Sequence, residues 1–213
     1  MTDSSSSNAD EAAASRRQLL PAPERRPGRC SFDWLLQRRH SHRGFEADSL
    51  TEQQIAELLW AAGGTTEAHT EQGFVRHTIP SAGAIYPLEF YFLDARGMAH
   101  YDPAWHALEW LTSDDLRAPL AQAALNQSCV REAPAILVIA AEPARTRAKY
   151  GERGDRYVMI EAGCACQNVL LQATELQLGA VPVGAFDDEA AARALRLPEE
   201  RGVLLLIPLG QPQ

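Results

Sequence analysis

The sequence predicts an α+β fold, on three observations. Ala135-Ile136-Leu137-Val138-Ile139-Ala140-Ala141 and Val203 to Leu209 are apolar runs of strand length, as in strands buried on both faces. Leu88 to Leu93 and Ala99 to Tyr101 flank Asp94-Ala95-Arg96-Gly97, the pattern of a hairpin. Asp155 to Leu178 is long, largely apolar and followed by Gly179, which reads as a helix at a domain centre or subunit interface. Strands and helices mix without strict βα alternation, so a doubly wound sheet is not expected.

The remaining elements follow in order. Residues 1–30 combine a Ser run, an Ala run, three prolines and paired arginines. They carry too little apolar surface to offset their ordering entropy, so a disordered or partner-wrapping tail is expected. Residues 31–213 form the single folded domain. Ser31 to Leu36 begins a short helix running into Arg38 and Arg39. Ser49-Leu50-Thr51-Glu52 has capping-box spacing, and Ile55, Leu58, Leu59 and Ala62 form the apolar stripe of a helix stopped by Gly63-Gly64. Thr65 to Gly73 reads as a polar loop and Trp105 to Leu111 as a third short strand. Ser113-Asp114-Asp115 caps a helix running to about Asn126. Val181 to Gly184 is an edge-like strand, because Pro182 withholds a ladder donor. Asp187 to Leu195 is a small capped helix; capping explains Asp187-Asp188 better than a metal pair does.

The 213 residues carry a net charge of -8 and a sequence pI near 5.3, against a general nucleic-acid binder. Cys30, Cys129, Cys164 and Cys166 include no CxxC pair, so no zinc site is expected and a reducing cytoplasm is the simplest location. No apolar segment follows Arg16-Arg17 to make a secretory signal, and no apolar run approaches a membrane span. Of 20 basic residues, 19 are Arg and one is Lys149. Coding bias suffices for the scarcity, but Arg cannot replace Lys as a titratable amine.

Four segments carry candidate chemistry. Arg38-Arg39-His40-Ser41-His42-Arg43 places guanidiniums and a hydroxyl at alternate positions, so that Arg39, Ser41 and Arg43 can hold a phosphate; the plainer reading is a solvated basic turn. Pro80-Ser81-Ala82-Gly83-Ala84-Ile85-Tyr86-Pro87 is a stiff small-residue loop that a planar ligand can approach, or an ordinary turn before a strand. Lys149-Tyr150 stands in a glycine-bearing loop leading into the long helix; both are proton-transfer groups, and a solvated surface loop holds even odds. Val183-Gly184-Ala185 offers backbone to a ring system. Cys164 and Cys166 are about 200° apart on a helix and read as small core residues, not chelators. His69, His77, His100 and His106 show no ligand spacing. Neither a Walker loop nor a GxGxxG motif is present.

In their order, Arg-Arg-x-Ser-x-Arg, Pro-Ser-Ala-Gly-Ala-Ile-Tyr-Pro-Leu-Glu, Lys-Tyr-Gly-Glu-Arg, Glu-Ala-Gly-x-x-x-Gln-Asn and Pro-Val-Gly-Ala-Phe-Asp resemble the nitroreductase superfamily, most closely its SagB-type dehydrogenase branch. The resemblance spans about Ser31 to Pro212. It implies a mainly antiparallel central sheet flanked by helices, in an intertwined homodimer with FMN at the interface. Arg39, Ser41 and Arg43 would then hold the FMN phosphate, with His40 adding backbone contacts. Pro80, Ser81, Ala82 and Gly83 would line the flavin ring from the partner subunit, and Val183, Gly184 and Ala185 would lie near its N5 and O4. Lys149 and Tyr150 would be the catalytic pair.

Two departures matter. Cys164 stands where the branch usually has His, and the chain ends Gly210-Gln211-Pro212-Gln213 where many members have a basic segment, shifting the phosphate onto Arg39 to Arg43. The implied activity is FMN-dependent oxidoreduction, linked to NAD(P)H on a small electron-poor substrate. The alternatives are a peptide azoline dehydrogenase beside a cyclodehydratase partner, and a flavin-binding interaction protein without turnover.

Overall fold

The computed structural model describes residues 17–24, 30–67 and 75–213. The architecture is α+β, and its main sheet has every strand pair antiparallel. The strands run in the order β1 (Arg17–Leu19), β6 (Ala107–Thr112), β5 (Gly97–Asp102), β4 (Leu88–Asp94), β7 (Ala135–Ala141), β9 (Gly202–Gly210) and β8 (Gly179–Ala180). β2 (Thr65–Glu67) and β3 (Arg76–His77) form a separate small ribbon. The helices are α1 (Phe32–Arg38), α2 (Glu52–Gly63), α3 (Arg117–Ala123), α4 (Ser128–Arg131), α5 (Pro143–Tyr150), α6 (Arg153–Glu175) and α7 (Asp188–Ala194).

The apolar runs are apolar throughout because helices cover both faces of the sheet centre. Side chains alternate across a strand. Leu137 and Ile139 of β7, with Phe90 and Phe92 of β4, therefore join the core beneath α2 and α6, which includes Ile55, Leu58, Val158 and Val169. Ile136 and Val138, with Tyr91 and Leu93, join the opposite core, with Leu120 of α3, Val130 of α4 and Leu206 of β9. The pairs Phe90↔Ile139 and Leu137↔Ile207 fix the register across β4, β7 and β9. Small residues on α6 (Ala162, Ala165, Ala173) are buried in the first core and let the helix lie close to the sheet.

Several elements differ from expectation. Residues 17–24 are not part of a structureless tail: Arg17–Leu19 adds an edge strand on β6, and Arg17 is ion-paired with Asp102 (3.4 Å) and Glu109. Gln18 accepts from Trp110 Nε1 at 2.9 Å, and Leu20 is buried. Three residues held largely by cross-strand polar groups have no periodicity to read. The rest of the expected tail, 1–16 and 25–29, and most of the expected 65–73 loop, lie outside the described residues, as does His69. The capping box is built two residues later than its spacing suggested: Thr51 Oγ1 accepts from Gln54 N–H, and Gln54 Oε1 accepts from Thr51 N–H at 2.8 Å. The helix expected from Ser113 to Asn126 is broken. Leu125 (φ 57°) and Asn126 (φ 55°) adopt left-handed backbone, and α4 begins two residues later.

Lys149 and Tyr150 lie in the last turn of α5, not in a loop. Pro143 opens that helix at its start, where its missing N–H is harmless. Asp187 caps α7 as expected, accepting from Ala190 N–H at 2.7 Å. The expected 181–184 strand is reduced to a single bridge, Val183↔Leu206; the ladder strand β8 lies just before it, at Gly179–Ala180. All four cysteines are free, and among the described residues no helix is long and apolar enough to cross a membrane.

Candidate functional site

The Arg39–Arg43 segment leaves the end of α1 and passes along the sheet edge. Arg39 N–H donates to Leu35 O and closes the helix; His42 N–H donates to Ala180 O at 3.0 Å, fixing the segment beside β8. A Cβ on Gly179 would stand 2.9 Å from the His42 Cβ, so this approach needs glycine. Beyond it, Phe45 bridges Pro212 and Gln213 N–H donates to Gly44 O. The His40 and His42 rings lie 4.0 Å apart, and burial followed by His40 lowers the His42 pKa.

Burial pushes the Cys166 thiol up to about 11, with Arg39 pulling back; burial likewise raises Cys129, with Arg43 opposing. The two guanidiniums thus bear on different helices, α6 and α4. Neither they nor Ser41 have an ion pair or side-chain hydrogen bond among the described residues. Cys166 is buried and Cys164 packs on the core, as expected for small apolar side chains.

The second group centres on the turn after Pro80. Gly83 (φ +65°), Ala84 (φ 56°) and Tyr86 (φ 50°) all adopt left-handed backbone, and Ser81 Oγ accepts from Tyr86 N–H at 2.9 Å. For the two non-glycine residues this costs about 1–2 kcal/mol each. The consequence is contact: a Cβ on Gly83 would lie 2.7 Å from both Lys149 Nζ and Tyr150 Oη. The fold therefore brings two separate candidate segments, Pro80–Gly83 and Lys149–Tyr150, onto one another. Tyr150 is held by an edge-on contact with Tyr157, ring centroids 5.1 Å apart.

A buried ion cluster positions α5. Glu89 of β4 accepts from Arg145 Nη2 at 2.6 Å and is paired with His100 Nε2 at 2.6 Å, with Arg201 at 3.7 Å. Burial pushes the Glu89 carboxyl up, but His100, Arg201 and Arg145 outweigh it and hold the pKa below its ordinary value. Arg145 stands one helical turn before Lys149, so the strand carboxylate anchors the helix that carries the lysine.

Glu161 of α6 was not anticipated. Only 3% exposed, it lies near Ser81, and its Oε1 has no hydrogen-bond partner. Its signal was a carboxylate on the buried face of the helix, between Val158 and Ala165. Asn168 ties α6 to α2 and the turn, donating to Ala61 O (3.1 Å) and Thr78 O (3.2 Å).

Val183 is buried in its bridge to Leu206, while Gly184 and Ala185 are exposed; Ala185 O accepts from Gln127 Nε2 at 2.8 Å. No hydrogen bond or ion pair among the described residues joins the Arg39–Arg43 segment to the Gly83–Lys149–Tyr150 group. Among the described residues the chain thus presents guanidiniums without carboxylate partners and a turn backed by an amine and a phenol.

Comparison with known proteins gives the class. The chain matches the Nitroreductase family over residues 36–211. A protein of Methanocaldococcus jannaschii described as a nitroreductase is 41% identical over 184 residues, 83% of this chain and 89% of that protein. The chain belongs to the nitroreductase family and is an oxidoreductase by that membership. Among solved structures, a Ralstonia eutropha protein, also described as a nitroreductase, superposes with a TM-score of 0.81 at 28% identity, covering 93% of this chain and 90% of that one. A chain of the Escherichia coli microcin synthetase McbBCD complex, solved with truncated pro-MccB17 bound, shares the fold with a TM-score of 0.69 at 21% identity. The match covers 91% of this chain and 79% of that one.

Burial raises the Glu161 carboxyl to about 7 from 4.5, with the nearby Ser81 hydroxyl opposing. Between those values the folded protein keeps a proton that the unfolded chain releases, so stability falls as pH rises through the window. Glu161→Gln removes this titration. Urea unfolding should show the parent losing up to about 3 kcal/mol relative to the variant between pH 4.5 and 7; equal slopes would refute a buried titrating Glu161.

Proposed function

We propose that the protein is an FMN-dependent oxidoreductase of the SagB-type branch, working as a homodimer. The observation that carries this reading is the approach of Lys149 Nζ and Tyr150 Oη to Gly83. It sets a proton-transfer pair against the turn that the family resemblance assigns to the flavin ring.

The residues present fit the cofactor. Arg39 and Arg43, without carboxylate partners among the described residues, suit a phosphate, and Ser41 adds a directional hydroxyl. His40 would add backbone contacts. Pro80, Ser81, Ala82 and Gly83 present backbone with little side-chain bulk, as do Gly184 and Ala185 beyond the anchored Val183. FMN, when bound, supplies hydride transfer at N5. The chain's own residues orient it, exclude water and move the accompanying proton, with Lys149 or Tyr150 as acceptor.

The family resemblance implies a site completed by a second copy, in which each chain's Pro80–Gly83 turn lines its partner's flavin. An exposed stripe on α6 supports the dimer: Met159 (62% exposed) and Ile160 (56%), continued by Gly163, lie on one helix face. NAD(P)H is the proposed electron donor and a small electron-poor molecule the proposed acceptor. Oxidation of a peptide thiazoline or oxazoline to the azole, beside a cyclodehydratase, is the second reading. It is favoured by the Lys-Tyr pair and the likeness to a chain of the microcin synthetase complex. In that case Lys149 or Tyr150 takes the ring proton. The four free cysteines suit a reducing cytoplasm.

The deciding experiment is an absorbance spectrum of the purified protein followed by anaerobic titration with NADH and NADPH. Bleaching of a flavin band supports the first reading. A flavin inert to both but reduced by an azoline peptide supports the second, and colourless protein that takes up no added FMN overturns both. Lys149→Ala should retain FMN and slow substrate oxidation at least about tenfold, the low end for losing a general base; unchanged turnover would exclude the lysine from catalysis. Arg39→Ala should lose flavin on gel filtration, and full retention would remove Arg39 from the phosphate site.

A further inference from the structure

After β1 the chain runs on as a strap, Leu20 to Glu24, clamped to the body by hydrogen bonds. Leu20 N–H donates to His106 O at 3.0 Å, and Pro21 O is bonded to His106 Nε2 at 3.0 Å. Ala22 O accepts from Gln53 Nε2 at 3.1 Å, and Glu24 N–H donates to Glu57 Oε1 at 2.6 Å. Beneath the strap lies a cavity of about 370 Å³. Leu20, Ala22 and Pro23 form one wall; Pro103 and the rings of Trp60 and Tyr101 form others. Tyr101 and Pro103 stand between it and a smaller space behind the Pro80–Tyr86 turn. Among the described residues, none of the segments assigned to FMN or to proton transfer borders it.

Four of the lining side chains are polar, and each has spent its donor proton on the protein. Trp60 Nε1 donates to Thr65 O and Thr65 Oγ1 donates to Pro103 O, both at 3.2 Å. Tyr101 and His106 are joined at 2.8 Å between Oη and Nδ1. A carbonyl oxygen only accepts, so His106 Nε2 carries a proton toward Pro21 O. Burial lowers the His106 pKa, with the Pro21 hydrogen bond and Glu57 opposing, and burial raises that of Tyr101. The imidazole is therefore neutral and its Nδ1 accepts from the phenol. Neither Arg nor Lys borders the cavity among the described residues. An anion entering it would lose its hydration and meet no side-chain donor in exchange, whereas apolar ring surface gives up nothing.

We propose that this cavity binds a small, uncharged apolar ring compound, held between the strap and the rings of Trp60 and Tyr101. An apolar cavity of about 150 Å³ already takes up benzene, so the space here suits one ring or two fused rings. Aromatic walls add offset and edge contacts with such a ligand. Three of the contacting residues belong to the strap, so occupancy also fastens the strap to the body. The site stands apart from the flavin reading and does not depend on it.

The test is a calorimetric titration of the purified protein with toluene and, as the same ring bearing a charge, benzoate. Toluene should bind at least about tenfold more tightly than benzoate. Trp60→Ala removes the indole wall and should weaken toluene at least about threefold. Ala22→Trp, at an exposed strap position, should fill the space and weaken it at least about tenfold. Absence of toluene binding, benzoate binding as tight as toluene, or unchanged affinity in either variant overturns the proposal. If Trp60→Ala does not fold, Ala22→Trp decides alone. Any flavin the protein carries should stay bound at saturating toluene; its displacement would place the ring in the cofactor site and overturn the proposal. Colourless protein that takes up no FMN but binds toluene would refute the flavin reading and leave this one standing.

Discussion

Glu89 stands in an otherwise apolar strand, Leu88–Asp94, with its carboxylate surrounded by His100 from β5, Arg145 from α5 and, farther off, Arg201 just before β9. A carboxylate in that position without partners would be untenable; with them, it joins three elements at a single point. Removing Glu89 would leave its cationic neighbours facing one another without the carboxylate they share, which is destabilising. The cluster contributes more to placement than to net stability. α5 is short, polar on most of its surface and buries only Thr146. Its hold on the sheet is therefore electrostatic, and Lys149 and Tyr150 inherit their position from it.

The turn they press against is set by a different balance. Gly83, Ala84 and Tyr86 in left-handed backbone would not persist in an isolated peptide. The Ser81–Tyr86 hydrogen bond closes the turn, Asn168 holds the chain before it at Thr78, and α6 supports it from below. That helix can do so because Ala162 and Ala165 let it approach the sheet while Glu161 reaches Ser81. Rigid elements on both sides hold a strained loop between them, so the geometry is prepared before any ligand arrives.

The legible parts of the sequence were those governed by burial. Ala135–Ala141, Gly202–Gly210 and the long α6 announce themselves because two-sided coverage selects apolar residues at every position. The ribbon β2–β3, the edge strand Arg17–Leu19 and helix α5 did not, since each is held by polar contacts made far away in the chain: Arg17 to Glu109, Arg145 to Glu89. Candidate site segments were recognisable one by one from small, hydroxyl-bearing or basic composition. What composition could not convey was that Gly83 and Lys149, 66 positions apart in the sequence, would touch. Glu161 and Glu89 were overlooked for a related reason: a single carboxylate inside an apolar pattern looks like noise until its partners are located.

The scarcity of lysine acquires a meaning from the ion pairs. Arginine supplies the pairs that fasten the molecule, often with two nitrogens on one carboxylate: Arg96 on Asp94, Arg117 on Asp115, Arg147 on Asp155. The planar fork suits that role and is never deprotonated. Lys149 has no carboxylate partner among the described residues; its ammonium lies 5.5 Å from the centre of the Tyr150 ring and against Gly83. An arginine there would carry a larger, planar guanidinium into the space beside Gly83. Coding bias suffices for the scarcity of lysine; what the structure adds is that the one lysine stands compactly against a glycine of the turn, where a bulkier cation would have to displace backbone.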